Sequence, residues 1–393
     1  MLIWGAMIIP VVVTIVLLVW FKHQTVWWEF LVPFVISLVC VIASKSITEA
    51  IQTSDTEYWG GWATQAEYYE RWDEEVPCKH TKYCTRFVTR TRSDGSSYSD
   101  TESYDCGTEH FYDIDNHPPH WVLVDSNGES QSINQDQFEG LAQKWNSRTF
   151  VDLNRNYHSI DGDKYVATWD GNDETIVLVT TQHRYENRVQ SSNSIFNFEE
   201  IKDPGSLGLY EYPRIGTWDQ RAILGDGGTR TNQADARLRY WNAKYGAGKQ
   251  VKMFILIFPE GSALKTGLAQ ENYWKGGNKN EFTLAIGVDR DRKVTWAHII
   301  SWTEVDRLKI DVRDYAMEHE GQLDLMNLVD YMSKEVYEKF ERKPFKEFSY
   351  LTVEPPGWAV ALSYLITLLV NVGLSFWIIN NRYEEWTPAP RRW

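Results

Sequence analysis

Three apolar runs limit what this chain can fold into. Residues 2–20 (LIWGAMIIPVVVTIVLLVW) carry no charge, residues 26–44 carry only Glu29 near one edge, and residues 357–379 (GWAVALSYLITLLVNVGLSFWII) again carry none. A helix as long as the last run rises ~34 Å at ~1.5 Å per residue, enough to cross a hydrocarbon core of ~30 Å with some tilt. Pro10 and Pro33 would break a helix in water but are tolerated where neighbouring helices re-satisfy the freed backbone. The first run lacks the basic residues that open a cleavable signal, and it exceeds a signal's apolar stretch. We therefore expect three transmembrane helices and an integral membrane protein whose first partner is the lipid bilayer.

The joint Phe21-Lys22-His23-Gln24-Thr25 is too short for anything but a helical hairpin. The soluble segment 45–356 then shares a side with the N-terminus, and the short tail 380–393 lies opposite. Lys22, Arg382, Arg391 and Arg392 would accompany the tail, which favours that side as cytoplasmic. Lys339, Arg342, Lys343 and Lys346 argue the other way, but the rule weights short loops over long domains. The expectation is an extracytoplasmic soluble domain in a plasma or inner membrane.

That domain is acidic. Formal net charge is -14, the opposite of the basic footprint that nucleic-acid binding needs. The 19 Trp and 21 Tyr suit membrane interfaces and protein contacts, and equally the aromatic core of a β-rich fold. Trp59, Trp62, Tyr68, Tyr69 and Trp72 follow the second span closely. They could pack at the membrane interface, line an intersubunit contact or form a core strand.

Two halves differ in pattern. Residues 45–200 read as a β-rich, Cys/His-containing subdomain. CTRFVTRTR and YSDTESYDC flank an Asp94-Gly95 turn, WVLVD and ESQSI flank Asn127-Gly128, and KYVATW and TIVLVTTQHRY flank DGND. An amphipathic helix is expected at 135–146, with Phe138, Leu141, Ala142 and Trp145 on one face. Residues 201–230 are rich in Gly and Pro and read as a linker. From 231 to 350 the pattern changes to a helix with Asn232 as N-cap and Gly246 as stop, the buried strand QVKMFILIF, and a short helix ending in Gly276 and Gly277. A hairpin about Arg290-Asp291 and two helices at about 303–319 and 322–340 follow. The order αβαββαα makes the fold α+β, with helices packed on a sheet.

In KMFILIF, the Trp274 helix end, Asn280 leading into FTLAIGVD, the turn, KVTW and the paired helices, the chain resembles the TPM-domain family. A single transmembrane helix after the domain is common there. Glu281 stands where the family usually has glycine, and HIISW replaces a glycine-containing segment. The resemblance implies an accessory or assembly module on the non-cytoplasmic side, with phosphatase activity in some members.

The chemistry-bearing residues cluster in 78–120. Cys78, Cys84 and Cys106 with His110 could supply three thiolates and one imidazole to a structural zinc ion, and His80, His117 and His120 lie nearby. One disulfide plus a free thiol is the rival, expected in an oxidising compartment, and unlinked cysteines with surface histidines are the third reading. Cys40 falls within the second span. Acidic loops at Asp161-Gly162-Asp163 and at 170–174 could attract calcium but fit ordinary turns as well. By the resemblance, Asp289 and Asp291 could bind a cation. GAGKQ lacks the P-loop's first glycine and hydroxyl residue, EHEGQ is not a zincin helix, and no nucleophile elbow is present. The expectation is a non-enzymatic membrane-anchored accessory or assembly protein that binds a protein partner or its own copies. A metal-dependent phosphatase and an oligomeric channel or transporter component are the alternatives.

Overall fold

The computed structural model describes residues 2–19, 27–92, 96–153, 162–192, 198–318 and 322–381. Three helices are long and apolar enough to cross a membrane, Leu2–Val19, Phe30–Thr53 and Gly357–Trp377. The first combines a 3-10 turn (Leu2–Met7) with α1 (Ile8–Val19), the second is α2 (Trp27–Thr53) and the last is α9 (Gly357–Asn381). Ile3, Ala6 and Val41 pack with Val360 and Tyr364, and the Tyr364 hydroxyl donates to the Leu2 carbonyl at 3.1 Å. The start of the first helix thus lies level with the start of α9, as a helical hairpin requires. Midway along, Asn371 Nδ2 donates to Ser37 Oγ and to the Thr367 carbonyl, each at 2.7 Å. The joint 21–25 and the tail beyond 381 lie outside the described residues.

α2 extends past residue 44, the expected end of its span, to Thr53, and β1 (Ser54–Tyr69) begins at the next residue. β1 is the spine of the first sheet. β6 (His120–Asp125) and β7 (Ser130–Ile133) extend it on one side, β9 (Lys164–Thr168) and β8 (Thr149–Val151) on the other. β10 (Leu178–Glu186) pairs with residues 54–62 of β1 while β9 pairs with 65–69. The expected β9–β10 hairpin is therefore not formed. β1 is long enough to take both strands in succession, which places them along it rather than against each other. α3 (Gln135–Trp145) covers the sheet with Phe138, Leu141, Ala142 and Trp145. Its start is fixed by a reciprocal capping box between Asn134 and Gln137.

The second layer is a four-stranded sheet in the order β11 (Ile223–Leu224), β12 (Lys252–Phe258), β13 (Glu281–Val288), β14 (Val294–Ser301). The first three strands are parallel and β14 is antiparallel. β12 and β13 are buried throughout, which is why they read as largely apolar runs, interrupted only by Lys252, Glu281 and Thr283. α5 (Thr231–Lys249), α7 (Asp306–Glu318) and α8 (Leu325–Lys339) pack on one face. α6 (Leu264–Tyr273) lies over β13 and β14 on the other, where Leu209, Tyr210 and Tyr212 join the packing. The run 201–230 is thus more than a linker. It contributes Ala222, Ile223 and Tyr212 to the interior and one strand to the sheet.

α5 departs from its expected limits at both ends. It begins at Thr231, whose hydroxyl donates to the Gly228 carbonyl and accepts from the Gly227 N–H, so Asn232 is not the cap. It ends at Lys249 with Gln250 left-handed, so Gly246 is interior. A side chain at Gly246 would sit 2.7 Å from the Val251 carbonyl oxygen, so close packing rather than termination explains this glycine.

Candidate metal centre at the joint of a β-ribbon arm

After β1 the chain leaves the body as a two-stranded ribbon. β2 (Trp72–Pro77) pairs with β5 (Tyr112–His117), and beyond a short joint β3 (Thr81–Thr91) pairs with β4 (Ser97–Thr108). Each pair forms its own two-stranded sheet among the described residues. Residues 72–91, rising ~3.3 Å each, would reach roughly 65 Å if straight. Tyr83, Phe87 and Phe111 are 71%, 83% and 96% exposed on this arm. The Asp94-Gly95 turn itself lies outside the described residues.

The joint gathers the cysteine and histidine signals and divides them. Cys84 and Cys106 form a disulfide across β3 and β4, which corrects the three-thiolate zinc set, since neither sulfur remains a thiolate. Cys78 is free and buried, and of the expected set it keeps only His110 as a neighbour. His80 and Asp113 complete a group of four whose ligand atoms all lie within 4.8 Å of one another. Cys78 Sγ is 3.7 Å from His80 Nδ1, which is 3.3 Å from Asp113 Oδ1. His110 Nε2 is 2.5 Å from the same Asp113 oxygen. The His80 backbone N–H donates to Cys78 Sγ at 3.3 Å, and the Lys79 N–H donates to Asp113 Oδ2 at 3.3 Å. The His110 hydrogen bond, helped by Lys79, Cys78 and His80, holds the Asp113 carboxyl below its usual range.

This geometry is not that of a nucleophilic triad. A relay needs a histidine with one ring nitrogen on the thiol and the other on the carboxylate. Here His80 turns one nitrogen, Nδ1, to both Cys78 and Asp113. Four donors converge on a shared space instead.

The other sequence candidates are spoken for. Asp289 Oδ1 accepts the Lys293 N–H and shapes the β13–β14 turn, and no described metal-type cluster contains Asp289 or Asp291. Asp170 and Asn172 accept hydrogen bonds within their own turn, while Asp173 binds Lys244 and Tyr240. Asp163 Oδ1 accepts the Leu153 N–H, and Asp161 lies outside the described residues. Trp59 packs on His183, Trp62 against Trp169 and Lys244, Tyr69 on His120 and Trp72 on His117. Tyr68 stacks on both Trp121 and Tyr165. These five aromatics are half-buried, and all of them make intramolecular ring contacts.

Two buried carboxylates belong to no functional motif in the sequence. Glu57, 4% exposed, is bound by Arg342 at 3.0 Å and Lys279 at 3.5 Å, tying β1 to the second layer. Glu281 is fully buried and accepts from the Tyr212 hydroxyl and from Asn278; burial raises its pKa despite those donors. Tyr212 and Asn278 form part of the wall of an open cleft of about 500 Å³, with Asp55, Tyr58, Tyr273 and Trp274. Except for Asn278, three residues from Glu281, the partners sit tens to hundreds of residues away, so no local pattern announces them. Only Glu281 stood out, by replacing a glycine.

No family model, curated protein or solved structure matches this chain.

Proposed function

We propose that this chain is a membrane-anchored assembly protein whose soluble body engages a protein surface through the ribbon arm, and that the surface is another copy of itself. The observation that carries this reading is an arm paired only with itself and bearing exposed aromatics, on a body attached to three apolar helices. Open strand edges with large apolar side chains invite strand addition.

The charges point to a second copy. β3 carries Lys82, Arg86 and Arg90 and no acid, while β4 carries Asp100, Glu102 and Asp105 and no base. Edge pairing of β3 with β3, or of β4 with β4, sets like charges across from each other and is disfavoured. Pairing β3 of one copy with β4 of the next is favoured on the same grounds. Within one arm, Arg86–Glu102 and Arg90–Asp100 already show the match. The disulfide supports an oxidising, extracytoplasmic compartment for the body. The TPM-like reading rests on the order α5–β12–α6–β13–β14–α7–α8 followed by a spanning helix. The phosphatase alternative gains nothing from Asp289, which is engaged in its turn.

A photo-crosslinker at Phe87 in intact membranes tests this. The expected product is a covalent dimer of the chain that disappears when residues 78–111 are replaced by a two-residue Asn-Gly turn joining β2 to β5. Crosslinks confined to a different protein would overturn self-association. No crosslink, with a monomeric detergent-solubilised protein, would overturn the assembly reading.

A further inference from the structure

We propose that Cys78, His80, His110 and Asp113 form a tetrahedral zinc site that pins the joint of the arm. Cys78 and His80 stand on the outgoing strand, His110 and Asp113 on the returning one, where the β2–β5 ladder ends at Pro77↔Tyr112 and the β3–β4 ladder begins at Thr81↔Thr108. In the gap between ladders, the Glu109 N–H to His80 carbonyl bond crosses from strand to strand through the backbone. An ion held by two ligands from each strand would replace the missing ladder bonds.

The donor set selects the metal. Tetrahedral zinc with bonds of ~2.0–2.3 Å needs its nitrogen, oxygen and sulfur ligands roughly 3.3–3.6 Å apart. The His80–Asp113 separation, 3.3 Å, is already in that range, the Cys78–His80 separation, 3.7 Å, is just above it, and all four ligand atoms lie within 4.8 Å of one another. The 2.5 Å His110–Asp113 contact is a hydrogen bond that the ion would displace and open. One thiolate, one carboxylate and two neutral imidazoles neutralise a divalent cation. A thiolate and two imidazoles disfavour calcium and magnesium, which take oxygen, while the single sulfur is a poor match for copper(I). Backbone N–H groups of His80 and Lys79 already point at the sulfur and the carboxylate, the outer hydrogen bonds that orient metal ligands. With all four positions filled by protein the site is structural. Binding releases the Cys78 thiol proton to solvent, and no redox change is involved. The inference does not depend on what the arm binds.

The test uses the full-length chain purified in detergent with a tag that contains no histidines. The expected result is one zinc per chain after removal of loosely held metal. Cobalt(II) alone should give the intense visible bands of a tetrahedral site and a thiolate-to-metal charge-transfer band, both abolished by added zinc. Cys78→Ser should remove the charge-transfer band, and His110→Ala should weaken zinc binding by ~100-fold or more, beyond the ~10–100-fold cost of losing an outer hydrogen-bond partner. His117→Ala, His120→Ala and the Cys84→Ser/Cys106→Ser pair should leave binding intact. Alkylation of Cys78 in the unaltered protein, read by mass spectrometry, should slow with zinc and recover with chelator; this requires no variant to fold. Substoichiometric zinc in the unaltered protein, Cys78 alkylation indifferent to zinc, or a charge-transfer band that survives Cys78→Ser would each overturn the proposal.

Discussion

The contact between β1 and α5 holds the two layers together, and a pair of glycine substitutions measures it. A side chain at Gly60 would place its Cβ 2.3 Å from the Asn242 carbonyl oxygen, 2.6 Å from its carbon and 2.9 Å from the Ala243 nitrogen. All three are backbone atoms, so no rotamer can yield, and α5 must retreat by roughly 1 Å to restore ordinary contact. Asn242 resists that movement. Its side chain accepts from the Met253 N–H at 2.8 Å and donates to the Met253 carbonyl at 3.0 Å, stitching α5 to β12. Overpacking of this kind costs about 1–3 kcal/mol, and straining two buried hydrogen bonds adds about 1 kcal/mol. Replacing glycine in a strand returns about 0.5–1 kcal/mol of backbone entropy. Gly60→Ala is therefore expected to destabilise by about 2–3 kcal/mol, lowering Tm by roughly 3–5 °C for a body spanning residues 45–356. Gly140→Ala is the control. Gly140 is exposed on α3 with nothing within 4 Å of its added Cβ, so alanine should stabilise by up to about 1 kcal/mol. Thermal unfolding followed by circular dichroism in detergent reads both. If Gly60→Ala melts with the unaltered protein, or shifts in the same direction as Gly140→Ala, the β1–α5 contact is not as described.

Glu281→Gln should flatten the dependence of stability on pH. The folded state holds this proton above the ordinary carboxyl value of 4.5, so the protein loses stability as pH rises from there through the raised value, and glutamine cannot titrate. Denaturant titrations across that interval should show a steeper decline for the unaltered protein, and parallel curves would sink the reading. Arg342→Met leaves Glu57 with Lys279 alone and should cost about 2–3 kcal/mol, somewhat below the figure for a wholly unpaired buried charge. Adding Glu57→Gln should recover part of that loss in a double-mutant cycle, and additive effects would contradict the pairing. Asn371→Leu removes the hydrogen bond to Ser37 between α2 and α9 and should cost about 0.6–2 kcal/mol in a membrane-protein unfolding assay, where no change would show the helices pair otherwise.

The legible parts of the fold are those with short-range causes. The apolar runs, the β3–β4 and β6–β7 ladders, α3 and β12 follow from periodicity or from turn residues a few positions apart. The division of the cysteines was legible too, had the register been counted. Moving outward from Asp94-Gly95 one residue per strand sets Cys84 against Asp105, beside Cys106 and within one residue of the observed Cys84↔Tyr104 register, and leaves Cys78 and His80 opposite 109–111. Composition alone grouped all three thiols. What could not be read depends on chain segments meeting from afar. β9 and β10 carry a hairpin's turn chemistry, yet β1 offers each a better edge. Asn232 is a good cap residue by type but bonds to the Arg221 side chain instead. Buried Lys252 opens an otherwise apolar strand because Asp219 lies 3.0 Å away, from a segment read as linker.

The attachment of body to membrane bears on the proposed assembly. The last carbonyls of α2 lack helical partners and are met from the body, with the Asn187 N–H donating to Thr53 and the Ser191 hydroxyl to Gln52, both at 2.6 Å. Arg188 binds Glu49 of α2 at 2.6 Å and the Leu351 carbonyl ahead of α9 at 3.1 Å. The end of α2 and the segment leading into α9 are thereby clamped to one short segment, α4 (Arg188–Ser191), and α2 passes into β1 without a loop. From β1 to the arm only residues 70–71 intervene. Copies in one bilayer share a normal, and a clamped body gives every arm the same component along it. Where that component is large, two β3 strands run parallel with like charges, whereas β3 and a neighbour's β4 run antiparallel with opposite charges. Confinement also removes part of the orientational entropy that association would otherwise cost. Strand direction, charge and membrane constraint favour the same pairing, and a flexible tether in place of the α4 clamp would remove the first and the third.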